Sequence, residues 1–108
     1  MPSIDDIPEP FGERVEQFLV WIGLERGLSN HTSEGYGNDL AACADFMEAM
    51  GVAEWSDMDA AHVSSWLVQM GKEGMAVSTV ARRLSALRAF IRYMVQERFL
   101  TEDVTELL

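Results

Sequence analysis

The stretch of sequence that decides the fold is STVARRLSALRAFIRY, which runs from residue 78 to residue 93. On a helix with about 100° per residue, its main apolar side chains fall within about 40° of Val80, on one face. Together with Met94, which continues the pattern, they are Val80, Leu84, Leu87 and Ile91. Residues 86, 90 and 93 (alanine, phenylalanine and tyrosine) widen this stripe on one side. The pattern predicts a long amphipathic helix that buries its apolar face in a helical core.

The other side of this predicted helix is cationic. Arg82, Arg88 and Arg92 lie there beside the small residues Ser85 and Ala89, and no acidic residue occurs between positions 74 and 96. Small neighbours let a helix approach a partner closely, and guanidinium groups match phosphate oxygens or a guanine edge. Two interpretations are open: a solvated face that forms salt bridges with acidic helices, or a surface that contacts nucleic acid.

The charge of the chain is unevenly distributed. Its 108 residues include 18 acidic and 8 basic side chains, and the resulting net charge of −10 by itself argues against binding a polyanion. Residues 1–71 carry two arginines against thirteen carboxylates, whereas residues 72–98 carry six basic residues against two acidic ones. Residues 99–108 add three acidic residues and no basic one. Binding of nucleic acid therefore depends on where the basic side chains of residues 72–98 point.

Composition excludes several classes of protein. A single cysteine, Cys43, rules out an internal disulfide framework, and with His31 and His62 far apart it leaves no Cys/His zinc site. No apolar run approaches the length of about 18 residues that a membrane span needs. The acidic, proline-rich residues 1–10 resemble neither a signal peptide nor a transit peptide, and we expect a flexible lead-in to a helical domain over residues 11–108. We therefore expect a cytoplasmic protein with no cofactor, metal, membrane or small-molecule partner.

Helical periodicity and capping residues describe the rest of the chain. The predicted helices run over residues 11–26, 60–71 and 79–98, and a second helix is predicted to follow an N-cap at Ser29 or Asn30 and to end near Met50. Ser78 is the predicted N-cap of the last helix, and Asp59 with His62 predicts a variant capping box at the third. A short acidic helix after Glu102 would be a fifth. Strand patterns are absent from the sequence, and the short connections predict an all-α, compact four- to five-helix bundle.

Two segments resemble the core-binding domain of tyrosine recombinases, the phage-integrase-like enzymes, and of their Xer-type members in particular. Residues 78–93 are similar to the last long helix of that domain. The run LSNHT at residues 28–32, followed by Tyr36 and Asp39, resembles the family pattern L-S-x-x-T-x-x-x-Y-x-x-D-L at the second helix. The resemblance covers residues 11–108 and implies a SAM-like helical domain that precedes a larger catalytic domain.

The resemblance also implies a function. In that family the two domains close around DNA as a C-shaped clamp, and the second and fourth helices of the N-terminal domain lie against the duplex beside the crossover region. The implied role is DNA binding during chromosome-dimer resolution or integration, with duplex DNA and sister recombinase subunits in a tetrameric synapse as partners. The residues that the resemblance places against DNA are Ser78, Thr79, Arg82, Arg88, Arg92, His31, Thr32 and Asn38.

The second helix departs from the family pattern directly after Tyr36. The family often has two basic residues there, whereas this chain has Gly37 and Asn38, which lowers the number of phosphate contacts expected from this helix. Gly35 and Gly37 each cost about 1 kcal/mol relative to alanine inside a helix. We therefore expect Gly37→Ala to stabilise the domain by about 0.4–1 kcal/mol.

The sequence lacks the motifs that strand cleavage needs. The family uses a nucleophilic tyrosine assisted by a His-x-x-Arg motif, but Glu34 and Ser65 stand three residues after the two histidines. Tyr36 and Tyr93 fall in apolar stripes, where core packing is the better interpretation. We expect a catalytically inert domain whose catalytic partner domain is absent from this chain. The alternative is an acidic helical protein-interaction module without a DNA role, in which each arginine pairs with a carboxylate from residues 1–71.

Overall fold

The computed structural model describes residues 3–27, 29–106 and 108, which form four α-helices. They are α1 (Phe11–Arg26), α2 (Asn30–Ala49), α3 (Ala60–Lys72) and α4 (Val77–Gln96). Short 3₁₀ turns at Ile4–Asp6 and Trp55–Asp57 precede α1 and α3. The described residues contain no strand, so the predicted all-α fold is confirmed. Within the same residues, no helix combines the length and the apolar composition that a membrane crossing requires.

Local signals set most helix ends where the sequence predicts them. Gly27 ends α1 in the left-handed conformation, with φ 59°, and its N–H donates to the carbonyl of residue 23. The hydroxyl of Ser29 accepts a hydrogen bond from the N–H of Thr32 and caps α2. At α3, Asp59 accepts from the N–H of His62 at 2.9 Å, and the His62 ring accepts from the N–H of Asp59 at 3.0 Å. The predicted capping box is therefore confirmed.

The predicted N-cap of α4 is wrong. The helix begins at Val77 and has Ala76 at the N-cap position, so Ser78 lies within the first turn and caps nothing. The reason is the turn that precedes the helix. Gly74 adopts a left-handed conformation with φ 74°, and the extended Ala76 then leads the chain into the helix two residues earlier than predicted.

The acidic helix predicted after Glu102 is also absent from the described C-terminal residues. Asp103 instead closes a turn, because its Oδ1 accepts hydrogen bonds from the N–H of Thr105 at 2.8 Å and from its hydroxyl at 2.6 Å. Thr105 is buried, with 1% of its surface exposed, and Val104 packs against the core. The segment after α4 therefore folds back onto the bundle as turns.

The core forms where α4 packs against α2 and α1. Leu87 and Ile91 are fully buried, as the stripe in α4 predicts. The same stripe predicts that Leu84 is nearly fully buried, which is wrong: Val80 and Leu84 are only partly buried, because the first two turns of α4 are less covered by the other helices. The largest buried side chains are Phe11, Val15, Phe18, Ile22, Leu40, Met47, Val63, Met70, Leu87, Phe90, Ile91 and Met94.

Trp55, in the linker between α2 and α3, contacts both α1 and α4 in this core. Its indole Nε1 donates a buried hydrogen bond of 3.0 Å to the carbonyl oxygen of Phe11. Its ring meets Phe11 edge-on at 4.9 Å and Phe90 at 5.0 Å between centroids. Such pairs add to the stabilisation from burial itself. The linker is therefore a packed part of the fold and holds the start of α1 near α4.

Cys43 lies on the buried side of α2, and its side chain is fully shielded from solvent. Burial raises the pKa of its thiol well above the usual range, because the thiolate would lose its hydration there. The residue acts as a small apolar side chain in the core.

Glycine at position 37 allows a close contact between α2 and the N-terminal 3₁₀ turn. A Cβ atom at Gly37 would lie 3.1 Å from Cδ1 and 3.2 Å from Cβ of Ile4, and 3.3 Å from Cδ1 of Leu19. Residues 3–10 therefore rest partly on α2, and Ile7 is buried. Met1, Pro2 and the motif residue Leu28 lie outside the described residues, and the flexibility of residues 1–10 remains a prediction.

This contact changes the expected result at the two glycines of α2. Gly35 has open space around its missing Cβ, so Gly35→Ala should raise the free energy of unfolding by about 0.4–1 kcal/mol. For Gly37→Ala, the same gain in helix propensity is offset by the crowding against Ile4. We expect Gly37→Ala to be less stable than Gly35→Ala, measured by chemical denaturation of the two variants side by side. Equal increases in the free energy of unfolding at both positions would show that the turn at residues 4–6 moves aside without loss of stability.

Candidate nucleic-acid interface

An open groove runs between the first half of α2 and the first half of α4. Its volume is about 500 Å³. The lining residues are His31, Thr32, Gly35, Tyr36, Asn38, Asp39, Arg82, Ser85 and Ala86. Four of the eight residues predicted to face DNA therefore lie together: His31, Thr32, Asn38 and Arg82.

Asp39 and Arg82 form the main polar contact of the groove. The carboxylate of Asp39 is buried, with 5% of its side chain exposed, whereas 61% of the Arg82 side chain is exposed. Nε of Arg82 donates to Oδ2 at 3.0 Å and to Oδ1 at 3.3 Å, and Nη2 donates to Oδ1 at 2.9 Å. These hydrogen bonds, and the charge of Asp39, raise the pKa of Arg82. One edge of the guanidinium is thus fixed against α2.

Arg83 approaches the same carboxylate from the inner side of α4. Its Nε lies 3.8 Å from Oδ1 of Asp39, and 17% of its side chain is exposed. Its Nη1 lies 3.5 Å from the sulfur of Met75 and 3.9 Å from that of Met70, which are weak acceptors. Two guanidinium groups therefore surround one buried carboxylate.

The other two arginines of the predicted face, Arg88 and Arg92, lie further along α4 and do not line the groove. Arg88 is half-buried, and its Nη2 donates to the backbone carbonyl of Leu108. Arg92 is exposed, and its Nε donates to the carbonyl of Arg88 at 3.3 Å. Within the described residues, neither forms a salt bridge with an aspartate or glutamate side chain.

Ser78 and Thr79 also lie outside the groove, in the first turn of α4. Ser78 is exposed and Thr79 is half-buried. Thr32 lies in the first turn of α2, and its hydroxyl is 3.1 Å from the capping hydroxyl of Ser29. The eight predicted residues thus divide between the groove, the start of α4 and the middle of α4, all on two neighbouring helices.

The pairing of the arginines bears on the two interpretations of the cationic face. The interaction-module interpretation needs Arg82, Arg88 and Arg92 each to pair with a carboxylate from residues 1–71, and among the described residues only Arg82 of these three does so, through Asp39. The DNA interpretation needs Arg82, Arg88 and Arg92 to converge on an open face without carboxylates, but Asp39 lies in the groove, and Arg88 and Arg92 lie outside it. Because Asp39 is buried and held by Arg82 and Arg83, its charge is compensated within the protein. The arrangement therefore meets neither requirement in full.

Sequence reasoning missed the role of Asp39 in this groove. A signal was present, since Asp39 lies about 60° from the centre of the apolar stripe of α2 on a helical wheel. A charged residue so close to a buried stripe needs a partner, and an arginine of α4 is the natural one. Ser85, which also lines the groove, stood on the predicted cationic face but was not among the predicted DNA contacts.

Both tyrosines of the chain pack against aromatic side chains. Tyr93 is buried and packs against Phe18 and Trp21, at 5.4 Å and 5.1 Å between ring centroids. Burial is the main cause that raises the pKa of its phenol, which keeps the hydroxyl protonated. Tyr36 is half-buried and meets Phe18 edge-on at 5.9 Å. Tyr93 therefore packs in the aromatic core, as the sequence predicts, whereas Tyr36 packs against that core and also lines the groove.

Comparison with known proteins agrees with the resemblance to tyrosine recombinases seen in the sequence. Residues 15–98 match the family model described as phage integrase, N-terminal SAM-like domain. The chain is 34% identical over 105 residues to tyrosine recombinase XerC of Vibrio vulnificus, covering 95% of the chain and 33% of the relative. It is 38% identical over 94 residues to tyrosine recombinase XerD of Brucella abortus, covering 87% and 30%.

Tyrosine recombinase XerC of Yersinia pestis is 39% identical over 84 residues, which cover 78% of the chain and 28% of that protein. The chain thus spans about a third of the length of the curated relatives it matches. No solved structure gave a match.

Proposed function

The chain belongs to the family of phage integrase N-terminal SAM-like domains, and from that premise we propose that it is the DNA-binding domain of a site-specific tyrosine recombinase. In this role it would hold duplex DNA beside the crossover region, in the cytoplasm, during chromosome-dimer resolution or integration. Strand cleavage would belong to a separate catalytic domain, and sister subunits would meet in a tetrameric synapse. The domain itself would need no cofactor or metal.

One observation carries this proposal: α4 presents arginines on a face that is free of unpaired carboxylates, in a chain of net charge −10. Among the described residues, Arg88 and Arg92 form no salt bridge with an aspartate or glutamate side chain, although Arg88 donates to the carbonyl of Leu108, and Arg82 keeps 61% of its side chain exposed beside the groove. Phosphate contacts supply most of the affinity of nonspecific DNA binding. We propose His31, Thr32 and Asn38 of α2 as neighbouring contacts, and Ser78 and Thr79 at the start of α4.

A titration of labelled duplex DNA with the chain tests this function. With three or four arginines able to reach the backbone at about −0.9 per phosphate contact, we expect log K to fall with log salt with a slope of about −2 to −4. A domain without the other half of the clamp should bind in the nonspecific range, with a Kd of about 10⁻⁴ to 10⁻⁶ M. We expect no cleavage of the duplex. Absence of binding even at about 20 mM salt would contradict the proposal.

A second candidate function is docking of a basic protein partner on α1. Val20 and Leu24 are 63% and 82% exposed and form an apolar surface with Trp21. Glu13 and Glu16 line the same surface and would attract a cationic partner helix. The titration separates the two functions, because such a module would not bind duplex DNA.

A further inference from the structure

Asp39 is the one charged residue that the structure buries among the residues it describes. A buried carboxylate is costly unless charges and hydrogen bonds compensate it. Here it receives three hydrogen-bond contacts from Arg82, and Nε of Arg83 lies within 3.8 Å. With two guanidinium groups around one carboxylate, the cluster keeps a net charge of +1.

The orientation of Arg82 decides which of its donors remain available. Its Nε and Nη2 contact Asp39, so the side edge of the fork faces into the protein. A guanidinium has five N–H donors, and the two on Nη1 and the second on Nη2 remain for another acceptor. One N–H of Nη1 and the free N–H of Nη2 form the end edge of the fork, which matches two phosphate oxygens or a guanine edge.

Arg83 explains why the Asp39–Arg82 pair, together with Arg83, keeps a net positive charge. Its Nε is buried and makes no hydrogen bond, and its Nη1 has only methionine sulfurs as partners. The nearest anionic group to this guanidinium is therefore Asp39. Arg83 balances the buried carboxylate from the inside, which leaves the charge of Arg82 available to a polyanion outside.

We propose that Asp39 is a positioning residue for DNA binding: it holds the side edge of Arg82 so that the end edge faces a backbone phosphate at the α2–α4 groove. This inference rests on the proposed function and assigns a geometric role to a carboxylate at the DNA-facing surface. For removal of the charge of Asp39, the proposal predicts a change in DNA affinity opposite to the one that simple electrostatics predicts. Removal of a negative charge near a polyanion should strengthen binding, whereas loss of the fixed geometry should weaken it.

The test compares two variants with the same change in charge on the same helix. Glu34 of α2 is exposed, so Glu34→Gln reports the effect of charge alone. We expect Glu34→Gln to bind duplex DNA as tightly as the wild type or slightly more tightly, and Asp39→Asn to bind at least about threefold more weakly. The salt slope of Asp39→Asn should also be smaller by about 0.9, the signature of one lost phosphate contact.

Two further measurements exclude a merely structural effect of Asp39. Arg82→Lys keeps the charge and leaves the buried Asp39–Arg83 contact in place, but lysine cannot hold Asp39 and present a fork at once. We expect it to bind at least about threefold more weakly than the wild type. In an Arg82→Gln background, Asp39→Asn should cause no further loss, because the geometry it controls is already gone.

The orientation of the Arg82 guanidinium can also be observed without DNA, in a ¹H–¹⁵N NMR spectrum of the arginine side chains. We expect the Nε proton of Arg82 to exchange slowly with solvent in the wild type and quickly in Asp39→Asn. The proposal is overturned if Asp39→Asn and Glu34→Gln bind alike, or if Arg82→Lys binds as the wild type does. If the wild type binds duplex DNA in those cases, only the role of Asp39 is overturned and the proposed function stands. A wild type that does not bind overturns both.

Discussion

Replacement of Leu87 by alanine should lower the free energy of unfolding by about 2–5 kcal/mol, the range for removing a well-packed core side chain. Leu87 lies in the middle of α4 and none of its surface is exposed. This loss of stability has two parts: the transfer free energy of the deleted apolar atoms, which are no longer moved out of water, and the energy of the cavity that remains. Urea denaturation monitored by circular dichroism measures it directly.

The matched control is Leu24→Ala on α1, which deletes the same atoms from a side chain that is 82% exposed. That change should stay within about 0.5 kcal/mol of the wild type. If Leu87→Ala lowers the free energy of unfolding no more than Leu24→Ala does, the face of α4 that carries Leu87 is not the one that packs in the core.

Reversal of two charges on α4, Arg88→Glu with Arg92→Glu, should abolish binding to duplex DNA. Among the described residues, neither arginine pairs with an aspartate or glutamate side chain, so their replacement breaks no such salt bridge. The double change adds repulsion where the proposed face has its attraction, and the loss should exceed that of removing two phosphate contacts. Titration of labelled duplex at low salt measures the effect.

The control for this experiment reverses the charge of Arg26 and Arg98, which are exposed and lie outside α4, at the end of α1 and two residues after the end of α4. Both double variants have the same net charge, so a nonspecific effect of acidity would weaken them equally. We expect the control to retain binding. If the variant at positions 88 and 92 still binds as the wild type does, the DNA-binding face lies elsewhere on the molecule.

Much of the fold could be predicted from the sequence because its signals are local. The apolar repeat that begins at Phe11 and the glycine at position 27 define α1 with the bounds that the structure has. The capping box at Asp59 and His62 needs only residues three apart. The buried stripe of α4 follows from its period alone, and Leu87 and Ile91 lie where it predicts.

Features that depend on distant residues were harder to predict. The start of α4 depends on the turn at Gly74, so a favourable capping residue at position 78 misled the prediction. The consequence of Gly37 depends on Ile4, which is 33 positions away in the sequence but in contact in space. For the site, the sequence predicted the two helices and the arginines of α4. The orientation of Arg82 by Asp39 required the packing of α2 against α4.

The complete burial of Cys43, the single cysteine of this sequence, has a consequence for redox behaviour. Disulfide exchange requires a thiolate that can reach another sulfur, and the folded domain offers neither the ionised form nor the access. Two folded copies therefore cannot join covalently through this residue. Any disulfide-linked dimer that accumulates in an oxidising buffer has formed from molecules that opened, so its rate of appearance reports how often α2 separates from the rest of the bundle.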